Sequence, residues 1–287
     1  MKLSDYVREN GIDPFTREDF AFVGGKLATN PSRLVLVGGQ AIEVWGIYFD
    51  VLAPSGEHEP LTEDTDWYGS KDDAQWLCGL LGGKQYTELI IAKDFDPSPN
   101  SALAYIKRPD GRVLLMDFLR TVMGLSEEQI VRFAVSISVG GVNLNVLHPI
   151  YCLESRLANL KNIPSKRNTN GVMQANWAVK IMEAYLMNLA SSQDVEGKNR
   201  ELIKTCSSIA EAAEFRSGPY CFQTFRVDPL EAVSPRVLDA IGGRFVTDDW
   251  PRRVARIQVR REKAAKQFLS YTIQMGASGP VAKRGER

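Results

Sequence analysis

Apolar residues recur at helical spacing from about residue 3 to residue 28, interrupted at Pro14 and Gly24-Gly25, so the chain opens on helix. Arg33-Leu34-Val35-Leu36-Val37 is a short β-branched run, the pattern of a buried strand, and it stops at Gly38-Gly39. Gln40 to Tyr48 returns to helical spacing, which makes the local unit a strand, a glycine turn and a helix. A stretch rich in Pro, Gly and Glu (53–60) leads to Leu61-Thr62-Glu63-Asp64-Thr65-Asp66-Trp67-Tyr68, which alternates as an extended segment does. Lys71 to Leu81 then reads as a helix stopped by Gly82-Gly83.

Strand patterns follow at 87–92, 102–107, 113–119, 132–138 and 142–147, two of them joined through hairpin-type residues at Pro109-Asp110-Gly111 and Gly140-Gly141. Beyond His148-Pro149 the strands stop, and 150–163, 171–192, 196–214, 229–241 and 251–274 carry helical spacing. The pattern predicts an α/β or α+β domain over 1–148, a helical domain over 149–275, and a disordered tail over 276–287.

Composition adds what the chain is not. With 44% hydrophobic and 24% charged residues over 287 positions it is built like a globular protein. No apolar run approaches the roughly 20 residues that cross a bilayer, and the N-terminus carries no apolar secretion signal, so a cytoplasmic protein without membrane contact is expected. Cys78, Cys152, Cys206 and Cys221 show no C-x-x-C pairing, and His58 and His148 are the only histidines, which argues against a zinc site or His-based catalysis. The net charge of zero hides an asymmetry: residues 1–148 carry 13 Lys/Arg against 21 Asp/Glu, leaving 22 against 14 for the rest. That division fits an acidic half that gathers cations beside a basic half that holds a polyanion, and equally two different solvated surfaces. On the last helix Arg252, Arg256, Arg260 and Lys263 form a basic stripe, suited to an RNA backbone or to plain solvent exposure.

The chemistry concentrates in three carboxylates. In Asp64-Thr65-Asp66 the two Asp side chains project to one face of a strand, and crowded carboxylates of this kind are relieved by Mg²⁺ or Mn²⁺. Asp117 lies inside the apolar run Val113-Leu114-Leu115-Met116-Asp117-Phe118-Leu119, either as an active-site carboxylate or as a strand residue facing water at an edge. Gly38-Gly39, between a strand and a helix, offers bare backbone N–H groups to a phosphate.

A strand, a Gly-Gly turn, a helix, Asp-x-Asp on a strand and a third Asp on a later strand together resemble the nucleotidyltransferase superfamily related to DNA polymerase β. Leu36-Val37-Gly38-Gly39-Gln40-Ala41-Ile42 and Thr62-Glu63-Asp64-Thr65-Asp66 are similar to the AbiEii-type toxin nucleotidyltransferases, over about residues 33–120. The resemblance implies a mixed sheet with flanking helices followed by a helical domain. It also implies Asp64, Asp66 and Asp117 as metal-binding catalytic residues, and Gly38, Gly39, Gln40, Thr62 and Arg156 at the nucleotide. The activity implied is Mg²⁺-dependent transfer of a nucleoside monophosphate from an NTP to an acceptor such as a tRNA end, under control of a separate antitoxin protein. A silent fold used for binding, or a small-molecule nucleotidyltransferase, are the alternatives. The chain departs from the pattern in three places. The interval from Gly39 to Asp64 is long, implying an inserted loop at 50–60. Pro60 and Leu61 stand where a basic residue is usual, and the nearest counterparts of the family's nucleotide-side Lys are Arg156 and Lys161.

Overall fold

The computed structural model of the protein describes residues 2–27, 29–53, 64–93, 95–192 and 198–277, so Thr62, most of the expected insertion and most of the expected tail lie outside the described residues. The first half contains α1 (Leu3–Asn10), α2 (Arg17–Leu27), β1 (Val35–Leu36), α3 (Gly38–Phe49), β2 (Asp64–Tyr68), α4 (Lys71–Leu80), β3 (Thr87–Ile91), β4 (Asn100–Lys107), β5 (Val113–Leu119), α5 (Glu127–Val131), β6 (Val135–Val139) and β7 (Val142–Val146). The second contains α6 (Pro149–Asn162), α7 (Thr169–Ser191), α8 (Lys198–Glu214), α9 (Gly218–Phe225), α10 (Pro235–Ile241) and α11 (Trp250–Ala277). Among the described residues the strands form one seven-stranded sheet, ordered β3-β4-β5-β2-β1-β7-β6. β1 runs parallel to β7 and β2 parallel to β5, whereas the other neighbours are antiparallel, so the sheet is mixed. The protein is thus an α/β fold with helices flanking the sheet and a helical C-terminal region, and no described helix is long and apolar enough to cross a membrane.

Strand alternation sets the layers. Ala102, Ala104 and Ile106 of β4 and Leu114, Met116 and Phe118 of β5 are buried, and α4 packs against β3 and β4. Helix α2 packs on β7 through Gly24, where an added Cβ would lie 2.0 Å from Val142 Cγ1. Buried Asp19 of α2 accepts a bidentate pair of bonds from Arg112 at 2.8 and 3.0 Å, with Arg108 at 3.0 Å, tying that helix to the β4–β5 hairpin. Helix α3 is clamped from two sides. The Trp45 indole donates to the Leu147 carbonyl at 2.8 Å, and Trp177 of α7 lies over Gly46, where a Cβ would meet its ring at 2.4 Å.

Several local outcomes depart from the sequence pattern, among them α9, which falls between two predicted helical spans. The helix after β1 begins at Gly38 rather than Gln40, so the glycine pair is its first turn and not a separate loop. The span 229–241 divides into a 3-10 turn (Pro229–Ala232) and α10, because Pro235 donates no hydrogen bond and disfavours helical backbone before it. The span 132–138 starts late, at Val135, since the short α5 precedes it, held by a capping box in which Ser126 and Gln129 bond reciprocally. Three arginines of the α11 stripe also meet carboxylates while staying more than half exposed: Arg252 pairs with Asp248 at 2.7 Å, and Arg256 and Arg260 pair with buried Glu214 of α8 at 2.6 and 3.2 Å. Arg256 and Arg260 dock the last helix onto α8.

Candidate metal centre

β2 and β5 lie side by side in parallel, with Asp66 opposite Asp117 and Asp64 opposite Leu115. Paired positions share a face, and so do alternate positions, so all three carboxylates project from the same side of the sheet. One oxygen from each lies within 4.8 Å of the others. A hard cation bound at about 2.1–2.5 Å spans oxygens up to about 5 Å apart, so this cluster can hold a metal ion.

Crowding leaves its mark on the protonation of these groups. Burial, and then the charge of Asp64, push Asp66 up to about 6, against the opposing pull of Arg156 and Lys166. Burial followed by the charges of Asp66 and Asp64 push Asp117 up to about 7, although Asn100 bonds its carboxylate. Asp117 Oδ1 is buried and has no hydrogen-bond partner among the described residues. An oxygen taken from water and given no donor is a poor structural feature and a good cation ligand.

The glycine pair meets this cluster directly. Gly38 has φ +72, and a Cβ built there would lie 1.9 Å from Asp66 Oδ2, so only glycine allows the helix to start against the carboxylate. The Val37 N–H is bonded to the Asp66 carbonyl at 2.9 Å, which registers the start of α3 against β2. Val37 supplies no side-chain cap, and the first turn of α3 borders a cleft of about 420 Å³ that also contains the three Asp residues.

Opposite the acids the cleft is lined by α6, α7 and the turn between them. Arg156 is buried there, donating to Gln174 Oε1 at 2.9 Å while its Nε has no partner among the described residues. Burial presses its guanidinium toward the neutral form, and the charges of Asp66 and Asp64 oppose that. Lys166, in the 3-10 turn Pro164–Lys166, joins the lining, whereas Lys161 turns away to the Arg216 carbonyl at 2.8 Å. Of the residues expected at the nucleotide, Gly38, Gly39 and Arg156 are brought to the cleft. Gln40 is fully buried in α3, outside the residues that line it, and its amide has no partner among the described residues. Asn100, Lys166 and Gln174 line the cleft without having been legible as site residues. His148 serves structure: its Nδ1 accepts the Ile150 N–H at 3.2 Å at the start of α6 and its Nε2 meets Tyr185 Oη at 3.1 Å. All four cysteines are free and buried. No protein-family model and no curated protein sequence matches this chain.

Proposed function

We propose that the protein is a metal-dependent nucleotidyltransferase, moving a nucleoside monophosphate from an NTP to an acceptor hydroxyl, with RNA such as a tRNA end as acceptor, in the manner of the AbiEii-type toxins. The observation that carries this reading is the convergence of Asp64, Asp66 and Asp117 within 4.8 Å beside the uncapped start of α3. The donor set fits Mg²⁺ or Mn²⁺: three hard oxygens, one of them a buried Asp117 oxygen without a partner. Bound there, the cation supplies charge neutralisation and Lewis acidity to a phosphoryl group.

The chain's own groups divide the remaining work. Arg156 and Lys166 offer positive charge across the cleft from the carboxylates, where a triphosphate would lie, and the first turn of α3 offers backbone N–H groups. The acceptor oxygen would attack the α-phosphorus, forming a P–O bond as the α–β bridge breaks and pyrophosphate leaves. Asp117 would receive the hydroxyl proton on the carboxylate oxygen that does not face the cation. Positioning and charge supply the rate in such a reaction, which suits a cleft without a nucleophilic Ser, Cys or His pair.

Incubation with each labelled NTP, Mg²⁺ and total RNA tests the reading. Label enters RNA, and Asp64→Ala abolishes it. Label confined to small molecules would reassign the acceptor class, and no transfer with Mg²⁺ or Mn²⁺ would leave a silent fold that binds without catalysing. Control by a separately encoded antitoxin belongs to the same proposal.

A further inference from the structure

The carboxylate face of the sheet does not end at Asp117. Strand pairing continues the row from Asp66 and Asp117 to Leu103 of β4 and then to Ile90 of β3, the edge strand. Successive strands are about 4.8 Å apart, so Ile90 stands roughly 10 Å from Asp117 on the same face. Ile90 is 42% exposed and begins a wide groove of about 1180 Å³ that follows β3 back toward Tyr86, walled by α1 and the end of α4.

Two features of this edge suit a single-stranded polyanion. Lys84 and Lys107 border the groove, in a half of the chain where acidic residues outnumber basic ones by 21 to 13. Large apolar rings stand in solvent at both ends of β3: Tyr86 at 43% exposure and Phe95 at 98%. Phe95 lies on the β3–β4 connection, whose last residue, Pro99, lines the carboxylate cleft. The groove lining is net positive, with Lys2, Arg8, Lys84 and Lys107 against Asp5 and Glu88, and the two rings flank it rather than line it. Cations along a groove with aromatic faces at its ends can hold single-stranded nucleic acid, phosphates on the cations and bases on the rings. At more than twice the volume of the cleft, the groove is long enough for a short strand and oversized for one mononucleotide.

We infer that the β3 edge is the acceptor surface: a single-stranded RNA end runs along β3 over Lys84 and Lys107, stacks on Phe95, and presents its terminal hydroxyl at Asp117. This rests on the transferase reading for the role of the terminal hydroxyl, and the binding surface itself can be tested without any transfer. The experiment measures fluorescence anisotropy of a labelled single-stranded RNA oligonucleotide with the full chain in EDTA and without NTP, across a salt series. In Lys84→Glu/Lys107→Glu affinity falls at least tenfold and the slope of log K against log salt drops by about 1.4, the loss of two phosphate contacts at about 0.7 each. Phe95→Ala weakens binding about tenfold with the slope unchanged, the loss of one stacked base. Thermal unfolding curves matching the wild type show that the variants are folded. Wild-type affinity in all these variants overturns the inference, and if labelled NTP still enters RNA the transferase reading stands without it. Stronger binding of a polyglutamate peptide than of RNA, lost in the lysine variant, also overturns it, by making the edge a docking strand for an acidic protein.

Discussion

Replacing Asp117 by Asn should make the metal-free protein more stable, and the size of the gain follows from the crowding in the cleft. The Asp117 carboxyl is raised from an ordinary 3.8 to about 7, first by burial and then by Asp66 and Asp64. A folded-state pKa above the unfolded one means the folded form holds its proton more tightly, so this stabilisation is complete below pH 3.8 and is lost as pH rises through about 7. Over that interval, at about 1.4 kcal/mol per tenfold change in proton affinity, the loss is on the order of 4 kcal/mol. Asp66 carries part of the same repulsion, so the two contributions overlap and do not add. Asparagine keeps the shape and the partnership with Asn100 while removing the charge. At pH 8 in EDTA we expect Asp117→Asn to gain about 2–4 kcal/mol, or roughly 5–10 °C in Tm for a chain of this size. At pH 4 the two proteins should melt together. Thermal unfolding followed by circular dichroism at both pH values, with and without Mn²⁺, provides the check. Mn²⁺ should raise the wild-type Tm at pH 8 and raise the variant's far less. An equal shift at pH 4 and pH 8, or a variant less stable than wild type at pH 8, would refute electrostatic crowding as the state of this site.

Gly38→Ala should do the opposite, lowering stability by about 1–2 kcal/mol from left-handed backbone alone and more from the collision with Asp66, with loss of the Mn²⁺-induced shift in the same assay. Asp19→Ala strips the partner from Arg112 and Arg108 and should destabilise by about 3 kcal/mol, read from urea unfolding midpoints, whereas Glu231→Ala, on an exposed turn, should move them by less than about 0.5 kcal/mol. His148 is lowered from 6.5 to about 4, first by burial and then by Lys204, so it must fold neutral. Its contribution is complete above pH 6.5 and is lost as pH falls toward 4, on the order of 3 kcal/mol. His148→Asn keeps a helix cap without titrating, and the stability difference between it and wild type should narrow or reverse between pH 7 and pH 4.5.

The strands and most helices were legible because one face of each is apolar, and period is visible without knowing what covers that face. The carboxylate cluster was legible for the same reason: the i, i+2 spacing of Asp64 and Asp66 fixes a shared face, and an Asp inside Val113–Leu119 stands out against its neighbours. The register that sets Asp66 opposite Asp117 was not, because parallel pairing joins strands about fifty positions apart and leaves no local signal. Lys166 was missed since it lies past the end of α6 in a 3-10 turn, outside any helical stripe. The arginines of α11 show what period alone leaves open. A basic row looks the same in sequence whether it meets phosphate, water or Glu214, and only packing against α8 brings that buried carboxylate beneath it.

The place of β1 in the sheet has a consequence for synthesis. This strand is two residues long and sits between β2, its near neighbour in sequence, and β7, where Leu36 pairs with Val146. Until residue 147 has left the ribosome, β1 is held on one side only, and with it the start of α3, since both the Leu147 N–H bond to Leu36 and the Trp45 bond to Leu147 are still to be made. Contacts that close such long loops form late. The nascent chain would therefore carry Asp64, Asp66 and Asp117 before the strand beside Asp66, and the helix that starts against it, are held from both sides.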